Sequence, residues 1–300
     1  GHIPLLPASL ITLLLCAFLA LYPALFGAAA VHIRKNHPAF FFIAAPALWT
    51  ALELARTYVF SGFPWSLLGY SQYSVLPVVQ IADITGVYGV SFLIVLANAA
   101  LAEFIMDRKS WFGLIAALLV VILALGYGFV KLRTPERSSG MKVSVVQGNI
   151  EQNRKWDPAY RAETTAVYER LTREALKEKP DLVIWPETAT PFYFGGIAAI
   201  DQTMTAELTA WVRKNGVPLL SGTPTYEVKP NRQLIGRNSV VLLPADEQAA
   251  VIYHKIHMVP FGEYVPLRNV LFFVEKMVQA IGDFQAGNEC RKVEIPENAE

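Results

Sequence analysis

Long apolar runs occupy most of residues 3–130. Four of these runs are long enough to cross a bilayer, which takes about 20 apolar residues. They are Leu5–Val31, Ala39–Phe60, Ile84–Met106 and Trp111–Val130. The short polar links HIRKNH (32–37) and DRKS (107–110) join them in pairs, as in helical hairpins. The pattern therefore predicts a transmembrane helix bundle of about four spans over residues 1–133.

After a polar linker at 134–140, the pattern changes to short strands separated by helices. Alternating apolar and polar residues, or short apolar runs that end at turn residues, indicate the strands. The predicted strands are MKVSVVQGNI (141–150), DLVIW (181–185), VPLLSG (217–222) and NSVVLLP (238–244). The second is nearly all apolar, which is typical of a strand buried on both faces. This order predicts a layered α/β domain over residues 141–300.

Two helices are predicted between these strands. Asp157 and Pro158 mark the start of the first, because Asp is a favoured N-cap and Pro is favoured at the next position. This helix is expected to run to about Lys179. The second covers roughly residues 200–215, and Gly216 is placed to end it.

Composition also separates the two halves. The chain is 53% hydrophobic and 17% charged, whereas about a quarter of the residues of an ordinary soluble protein are charged. The net charge is +1 and there is no basic stripe, so no nucleic-acid partner is expected. There is no glycine-rich nucleotide motif, and the two cysteines, Cys16 and Cys290, form no metal-type cluster with the histidines. Neither a cofactor nor a metal is therefore expected.

Basic residues in the short links predict the orientation of the bundle. Both polar links carry an adjacent Arg and Lys, and no Lys or Arg lies between Thr57 and Asp107. The positive-inside rule places such links in the cytoplasm. Residues 61–80 and everything after Val130 are then expected outside, although three basic residues soon after Val130 oppose this orientation.

Glu53 and Arg56 lie three residues apart within the second apolar run. Charges within a span are costly and usually pair or face the protein interior. We interpret them as an i,i+3 ion pair on one helix, in preference to a catalytic pair. The uncharged loop SGFPWSLLGYSQYS (61–74) is either an interfacial aromatic belt or a lipid-facing surface below the outer domain.

Polar groups occur at the ends of apolar strands in three stretches of the second half. These are WPET (185–188), NS (238–239) and YHKIHMVPFGEYVP (253–266). Glu187 follows a predicted buried strand, where it is either a catalytic carboxylate or a cap of the following turn. Lys255 precedes Glu263 by eight residues; a lone lysine in such a place is more often a surface residue. Taken together, the three stretches are expected to form one site.

The stretches IWPET and YHKIHMVPFGEYVP resemble segments of the carbon–nitrogen hydrolase (nitrilase) superfamily. GFPWSLLGYSQ and VQGNIEQNRKWDP narrow this resemblance to the bacterial apolipoprotein N-acyltransferases, and it covers essentially the whole chain. The resemblance implies an αββα nitrilase-type sandwich on the outer face of a polytopic helix bundle.

Carried over residue by residue, the resemblance implies that Glu187 is a general base, that Lys255 stabilises an oxyanion and that Glu263 is an additional active-site carboxylate. Trp156 in KWDP and Asn238 in RNSVV match substrate-binding pocket residues of the family. The residue types fit these roles. A carboxylate whose pKa is raised by burial and a neighbouring acid can take a thiol proton, and an ammonium group can stabilise a tetrahedral oxyanion.

The nucleophilic cysteine of the family follows a strand that comes after a GDF-type loop. Here IGDFQAGNECRKVEIPENAE ends at Glu300, and Cys290 lies in a polar stretch before a strand. We interpret Cys290 as a structural or surface cysteine. The resemblance then implies that the nucleophile and a closing helix lie beyond Glu300, that further spans precede Gly1, and that this chain alone binds but does not turn over.

The resemblance implies a multi-pass acyltransferase of the bacterial inner membrane, with its catalytic domain on the periplasmic face. It would move an acyl chain from a phospholipid, through a cysteine thioester, to the α-amine of an S-diacylglyceryl-cysteine apolipoprotein, a step of lipoprotein maturation. Two alternatives stay open. One is a membrane-tethered, nitrilase-type hydrolase with water as acceptor, and the other is a non-catalytic membrane scaffold.

Overall fold

The structure, a computed structural model, describes residues 5–59, 62–108, 111–135, 140–155, 157–229, 233–259, 262–264, 284–290 and 292. The chain divides into two compact units, Gly1–Arg137 and Ser138–Glu300. The first unit is helical and the second is an α/β unit.

Among the described residues of the first unit, four helices are long and apolar enough to cross a membrane. They are α1 (Leu5–Asn36), α2 (Phe41–Tyr58), α4 (Ala82–Met106) and α5 (Trp111–Arg133), and a short helix α3 covers Leu76–Val79. Each of the four predicted runs is therefore confirmed as a helix. Many of their large apolar side chains are exposed, which suits contact with lipid.

Small residues allow α4 and α5 to pack closely. Leu96 and Ala100 of α4 are buried with Ala117 of α5, and Phe42 of α2 and Phe92 pack against this cluster. Small side chains at such positions let helix backbones approach, and dispersion contacts then stabilise the pair. The cluster joins three of the four long helices.

Ion pairs join α4 to its neighbours at both of its ends. Arg34 Nε near the end of α1 lies 2.7 Å from Glu103 Oε1 near the end of α4. Lys131 Nζ near the end of α5 lies 2.7 Å from Asp83 Oδ2 at the start of α4. The first contact places the C-terminal ends of α1 and α4, where the two basic links of the sequence lie or begin, at the same end of this unit.

The expected ion pair between Glu53 and Arg56 is not formed in the part of the chain that the structure describes. Glu53 is buried, and its Oε1 accepts a hydrogen bond from the backbone N–H of Leu68 at 2.7 Å. The carboxylate therefore caps the start of the 3₁₀ helix Leu68–Gln72 in the following loop. Its Oε2 and Arg56 Nε are buried without a hydrogen-bond partner and line one small cavity with Trp49.

The described strands of the second unit form one mixed five-stranded sheet in the order β1-β2-β3-β4-β5. They are β1 (Val143–Val145), β2 (Leu182–Trp185), β3 (Leu219–Val228), β4 (Leu234–Leu243) and β5 (Val251–His254). The first three strands are parallel and the last three are antiparallel. The predicted α/β class is confirmed.

The two predicted helices are confirmed as α7 (Arg161–Ala175) and α8 (Ala199–Asn215), with 3₁₀ turns at Pro158–Tyr160 and Leu176–Glu178. A four-residue helix that the sequence did not predict, α6 (Gln152–Lys155), precedes them. Asp157 is an N-cap as predicted, because its Oδ1 accepts from the N–H of Ala159 at 2.9 Å. Gly216 ends α8 in the left-handed conformation, with φ of 69°.

β2 lies at the centre of the core. Leu182 and Val183, adjacent residues that point to opposite faces of the sheet, are both almost fully buried, which confirms the prediction of a strand covered on both faces. Tyr168 of α7 stacks on Trp185 with ring centroids 5.1 Å apart. The indole N–H of Trp185 donates to Thr172 Oγ1 at 2.8 Å, so the only polar atom of this side chain is satisfied in the core. The strand that precedes Glu187 is therefore rigidly held.

β4 begins at Leu234, earlier than the predicted start at residue 238. The ten-residue antiparallel register with β3 extends to the pair Val228–Leu234. Arg237 is buried in this extension and makes an ion pair with Glu227 on β3. A buried arginine breaks the apolar pattern of a strand, which is why the sequence did not indicate this part of β4.

Candidate active site

The register of neighbouring strands places three of the predicted site residues side by side across the sheet. Glu187 follows the end of β2, Asn238 lies within β4, and Lys255 directly follows β5. The pairs that set this register are Trp185 with Ser221, Thr223 with Ser239, and Ser239 with His254. The backbone N–H of Lys255 also donates to the carbonyl of Asn238 at 2.8 Å. Residues far apart in sequence therefore lie close together.

Four of the predicted side chains form one hydrogen-bonded network. Lys255 Nζ lies 2.9 Å from Glu187 Oε1 and 3.0 Å from Glu263 Oε2. Asn238 Nδ2 donates to Glu187 Oε1 at 2.6 Å and also to Glu263 Oε1. Asn238 is buried and the side chain of Glu263 is 12% exposed, whereas that of Glu187 is 61% exposed. The accessible group of the network is therefore the Glu187 carboxylate.

A tight turn presents Glu263 to the lysine. The backbone N–H of Val259 donates to Glu263 Oε2 at 2.7 Å, and the N–H of Glu263 donates to the carbonyl of Val259 at 2.9 Å. These two reciprocal bonds close the turn on its own carboxylate. Glu263 can then face Lys255 without the freedom of a surface glutamate.

The turn at Glu187 is held against β3. The N–H of Ala189 donates to the carbonyl of Gly222 at 2.8 Å. A Cβ atom on residue 222 would lie 2.5 Å from the Cα of Glu187, so only glycine allows this approach. Thr188 has φ of 49°, a conformation that is rare for a β-branched residue.

A sequence model described as "Carbon-nitrogen hydrolase" matches residues 142–293, just over half of the 300 residues. The chain belongs to the carbon–nitrogen hydrolase family. A second model, described as "Apolipoprotein N-acyltransferase N-terminal domain", matches residues 1–100.

Curated relatives of the chain carry the name that the second sequence model also carries. A protein of Geobacter metallireducens named apolipoprotein N-acyltransferase is 40% identical over 295 residues, covering 96% of this chain and 56% of that protein. One of the same name from Methylococcus capsulatus is 36% identical over 287 residues, covering 92% and 53%. The chain therefore spans about half the length of the curated relatives that it matches. A solved carbon–nitrogen hydrolase from Helicobacter pylori is 20% identical, covering 49% of this chain and 45% of that chain, with a TM-score of 0.32.

In this member of the carbon–nitrogen hydrolase family the lysine is held in its charged form. Burial alone would lower the pKa of Lys255, but the hydrogen bonds and charges of Glu187 and Glu263 outweigh burial and raise it. An ammonium group has three N–H donors, which suits it both to hold carboxylates and to meet an oxyanion.

The expected upward shift of the Glu187 pKa is wrong. The hydrogen bond from Lys255 lowers the pKa of this carboxyl, and Asn238 adds to the effect, while partial burial acts in the opposite direction. Burial is the second-largest of these effects, but the hydrogen bond from Lys255 is larger. Glu187 is therefore ionised at neutral pH and is a weaker base than the sequence suggested.

A weaker base can still accept a thiol proton beside this lysine. When a proton moves from sulfur to Glu187, the negative charge moves to the sulfur. A nearby cation stabilises a thiolate as it stabilises a carboxylate. Lys255 therefore lowers the basicity of Glu187 and the cost of forming the thiolate together.

Trp156 lies outside the described residues, so its place in the pocket stays a prediction. Cys290 is exposed and makes no disulfide.

Lys155, which the sequence did not single out, donates from Nζ to the backbone carbonyl of Glu187 at 3.1 Å. Its one sequence signal is its place in KWDP, directly before Trp156.

Proposed function

We propose that the protein is an apolipoprotein N-acyltransferase. It transfers an acyl chain from a phospholipid, through a cysteine thioester, to the N-terminal α-amine of an S-diacylglyceryl-cysteine apolipoprotein. The observation that carries the proposal is the network of Glu187, Lys255 and Glu263, which joins a carboxylate base to a charged oxyanion donor. The same chain contains four helices that are apolar enough to span a membrane among its described residues, which suits lipid-anchored substrates.

In the first half-reaction, the thiol proton passes to Glu187 and the sulfur attacks the ester carbonyl of the phospholipid. Lys255 donates to the oxyanion that forms in the transition state, and loss of such a donor costs about 10²–10³ in rate. The intermediate then expels the lysophospholipid oxygen, which takes the proton from Glu187. The products are a thioester and a lysophospholipid.

In the second half-reaction, the α-amine of the acceptor attacks the thioester carbonyl. Glu187 takes a proton from the attacking nitrogen, and Lys255 again donates to the oxyanion. The carbon–sulfur bond breaks, the amide forms, and the thiolate recovers its proton from Glu187. Glu263 keeps Lys255 charged throughout.

Asn238 has a positioning role in this scheme, because its Nδ2 donates to both carboxylates. Its assignment to substrate binding, like that of Trp156, rests on the sequence resemblance. We assign the protein to the bacterial inner membrane, with the catalytic unit on the periplasmic side. The shared end of the two basic links supports this orientation.

The test uses the protein expressed from its complete reading frame and incubated with phosphatidylethanolamine. Intact mass spectrometry is expected to find a hydroxylamine-labile acyl adduct on a cysteine, which transfers to an apolipoprotein peptide. Glu187→Gln should abolish the adduct, and Glu207→Gln, at an exposed position on α8, should leave it unchanged.

Other outcomes of this test would replace the proposal. An adduct on Cys290 would make that cysteine the nucleophile. Release of free fatty acid without transfer would favour the hydrolase, for which the 61% exposure of Glu187 offers water a route. Neither adduct nor fatty acid would favour a non-catalytic scaffold.

A further inference from the structure

Lys155 contacts the candidate base from a different element than the other site residues. It is the last residue of α6, and its Nζ donates to the backbone carbonyl of Glu187 at 3.1 Å. Lys255 and Asn238 hold the side chain of the same glutamate. Glu187 is therefore held at its carboxylate by two residues and at its main chain by a third.

The carbonyl that Lys155 contacts belongs to the peptide that leads into Thr188. That threonine has φ of 49°, in the left-handed region. A β-branched residue is strained there, and such strain persists only where the surroundings over-determine the backbone. Gly222 restricts this turn from β3, and Lys155 restricts it through the carbonyl.

Lys155 is also not an ordinary surface lysine. A surface lysine keeps its ammonium group in water and has no fixed partner. Lys155 is half-buried, and this burial lowers its pKa, while the charge of Glu187 acts in the opposite direction. In return its positive charge contributes to lowering the pKa of Glu187, after the larger effects of Lys255 and Asn238.

We propose that Lys155 is a positioning residue that holds the main chain of Glu187 in the strained turn from which its carboxylate works as the base. The inference rests on the proposed function, because it requires that Glu187 takes the proton. Lys155 reaches the backbone and not the reacting atoms, so its loss should lower kcat with little change in KM for the phospholipid.

The experiment compares Lys155→Met and Lys155→Arg with wild type, each made from the complete reading frame and assayed for acyl transfer from phosphatidylethanolamine. Small misplacements of a catalytic group cost up to about 10²-fold in rate, so K155M is expected to lower kcat by about 10- to 100-fold with KM within about twofold. K155R keeps a charge and a donor and should recover most of the activity.

The pH profile separates positioning from a general loss of fold. Because Lys155 lowers the pKa of Glu187, K155M should move the acid limb of kcat to higher pH. The position of this limb does not depend on how much of the sample is folded. Lys142→Met is the matched control, since Lys142 pairs with Glu178 at an exposed site and should leave both kcat and the limb unchanged.

A K155M variant with wild-type kcat and an unmoved acid limb would overturn the inference. So would a loss expressed only in KM, or a K155R variant as impaired as K155M. Glu187→Gln distinguishes the two levels of the argument. If E187Q retains transfer, the proposed function fails; if E187Q is inactive and K155M behaves as wild type, only the role of Lys155 fails.

Discussion

Lys255 and Glu187 shift each other's pKa so that both groups stay charged. The lysine lowers the pKa of the glutamate, and the two glutamates of the network raise the pKa of the lysine. The ion pair is therefore complete over a wide pH range. The ion pair stabilises the fold only while both groups are charged. Its contribution should therefore fall in acid, where Glu187 gains a proton, and in alkali, where Lys255 loses one.

Lys255→Met is expected to lower Tm by about 2–4 °C, the shift that about 1 kcal/mol causes in a domain of this size. Exposure of Glu187 screens the pair and keeps the effect small. The lowered pKa of Glu187 means that its contribution is present above the unfolded value, about 4.3, and is lost as pH falls through the folded value. The raised pKa of Lys255 means that its contribution is present below about 10.4 and is lost as pH rises through the folded value.

Thermal unfolding of wild type and K255M between about pH 3 and about pH 9, a range that spans the carboxyl pKa, checks this prediction. The Tm difference should be largest at neutral pH and should shrink as the buffer becomes acidic. Lys142→Met, at an exposed ion pair, should show little difference at any pH. A K255M difference that persists undiminished in acid would contradict the assignment of the pair.

At this scale the sequence indicated which residues meet but not their protonation. Glu187, Lys255 and Glu263 stand out because charged residues interrupt apolar strands. The direction of the Glu187 pKa shift depends on whether burial or a facing cation is stronger, and that balance needs distances and exposure. Lys155 could not be singled out, because a lysine in a polar stretch has no pattern until its partner carbonyl is known.

At the scale of elements, β3 positions the turn that carries the candidate base. Gly222 lies so close to Glu187 that a Cβ would fall 2.5 Å from one backbone atom and 2.6 Å from the carbonyl of Pro186. Backbone atoms cannot rotate away as a side chain can. The strand and the turn must therefore separate if any side chain is introduced here.

Gly222→Ala is expected to destabilise the protein by about 1–3 kcal/mol, the usual cost of overpacking. It should also lower acyl transfer more than stability alone explains, because the displaced turn carries Glu187. Thermal unfolding and transfer assays measure the two effects. Gly126→Ala, where a Cβ meets nothing within 4 Å, is the control and should neither destabilise the protein nor lower transfer, because Ala is favoured over Gly within a helix. A fully active and stable G222A variant would show that the turn does not need this contact.

Elements with one dominant periodicity were predictable, and those with mixed environments were not. The caps at Asp157 and Gly216 and the apolar run of β2 follow local rules. The extension of β4 contains the buried Arg237, whose partner lies on β3. Glu53 likewise contacts a loop and not its helical neighbour, because helical spacing indicates residues on one face but not the segment packed against it.

At the scale of the whole molecule, one chain contains a unit whose surface suits lipid and a unit whose core is built as in water-soluble proteins. The first unit exposes apolar side chains on four long helices in its described part, and the second buries a mixed sheet under helices. The proposed acyl transfer would use both units, since a thioester site requires ordered polar groups and the proposed substrates stay in the bilayer. The side of the membrane that the site faces then decides which substrates reach it.

Cysteine accessibility tests this orientation. The background carries Cys16→Ser and Cys290→Ser. In it, we expect Asn36→Cys and Asp107→Cys to react with a membrane-impermeant maleimide only after the membrane is permeabilised. The ion pair between Arg34 and Glu103 places both positions at one end of the helical unit, so they should behave alike.

Tyr73→Cys and Lys177→Cys supply the opposite side of the comparison. Both positions are exposed, and counting spans puts them outside, so they should react in intact cells. Labelling of Asn36→Cys and Asp107→Cys from opposite sides would contradict the helical arrangement itself. Labelling of all four positions with inside and outside exchanged would keep the fold and reverse the orientation. In that case the site would face the cytoplasm, and an apolipoprotein acceptor presented outside could not reach Glu187.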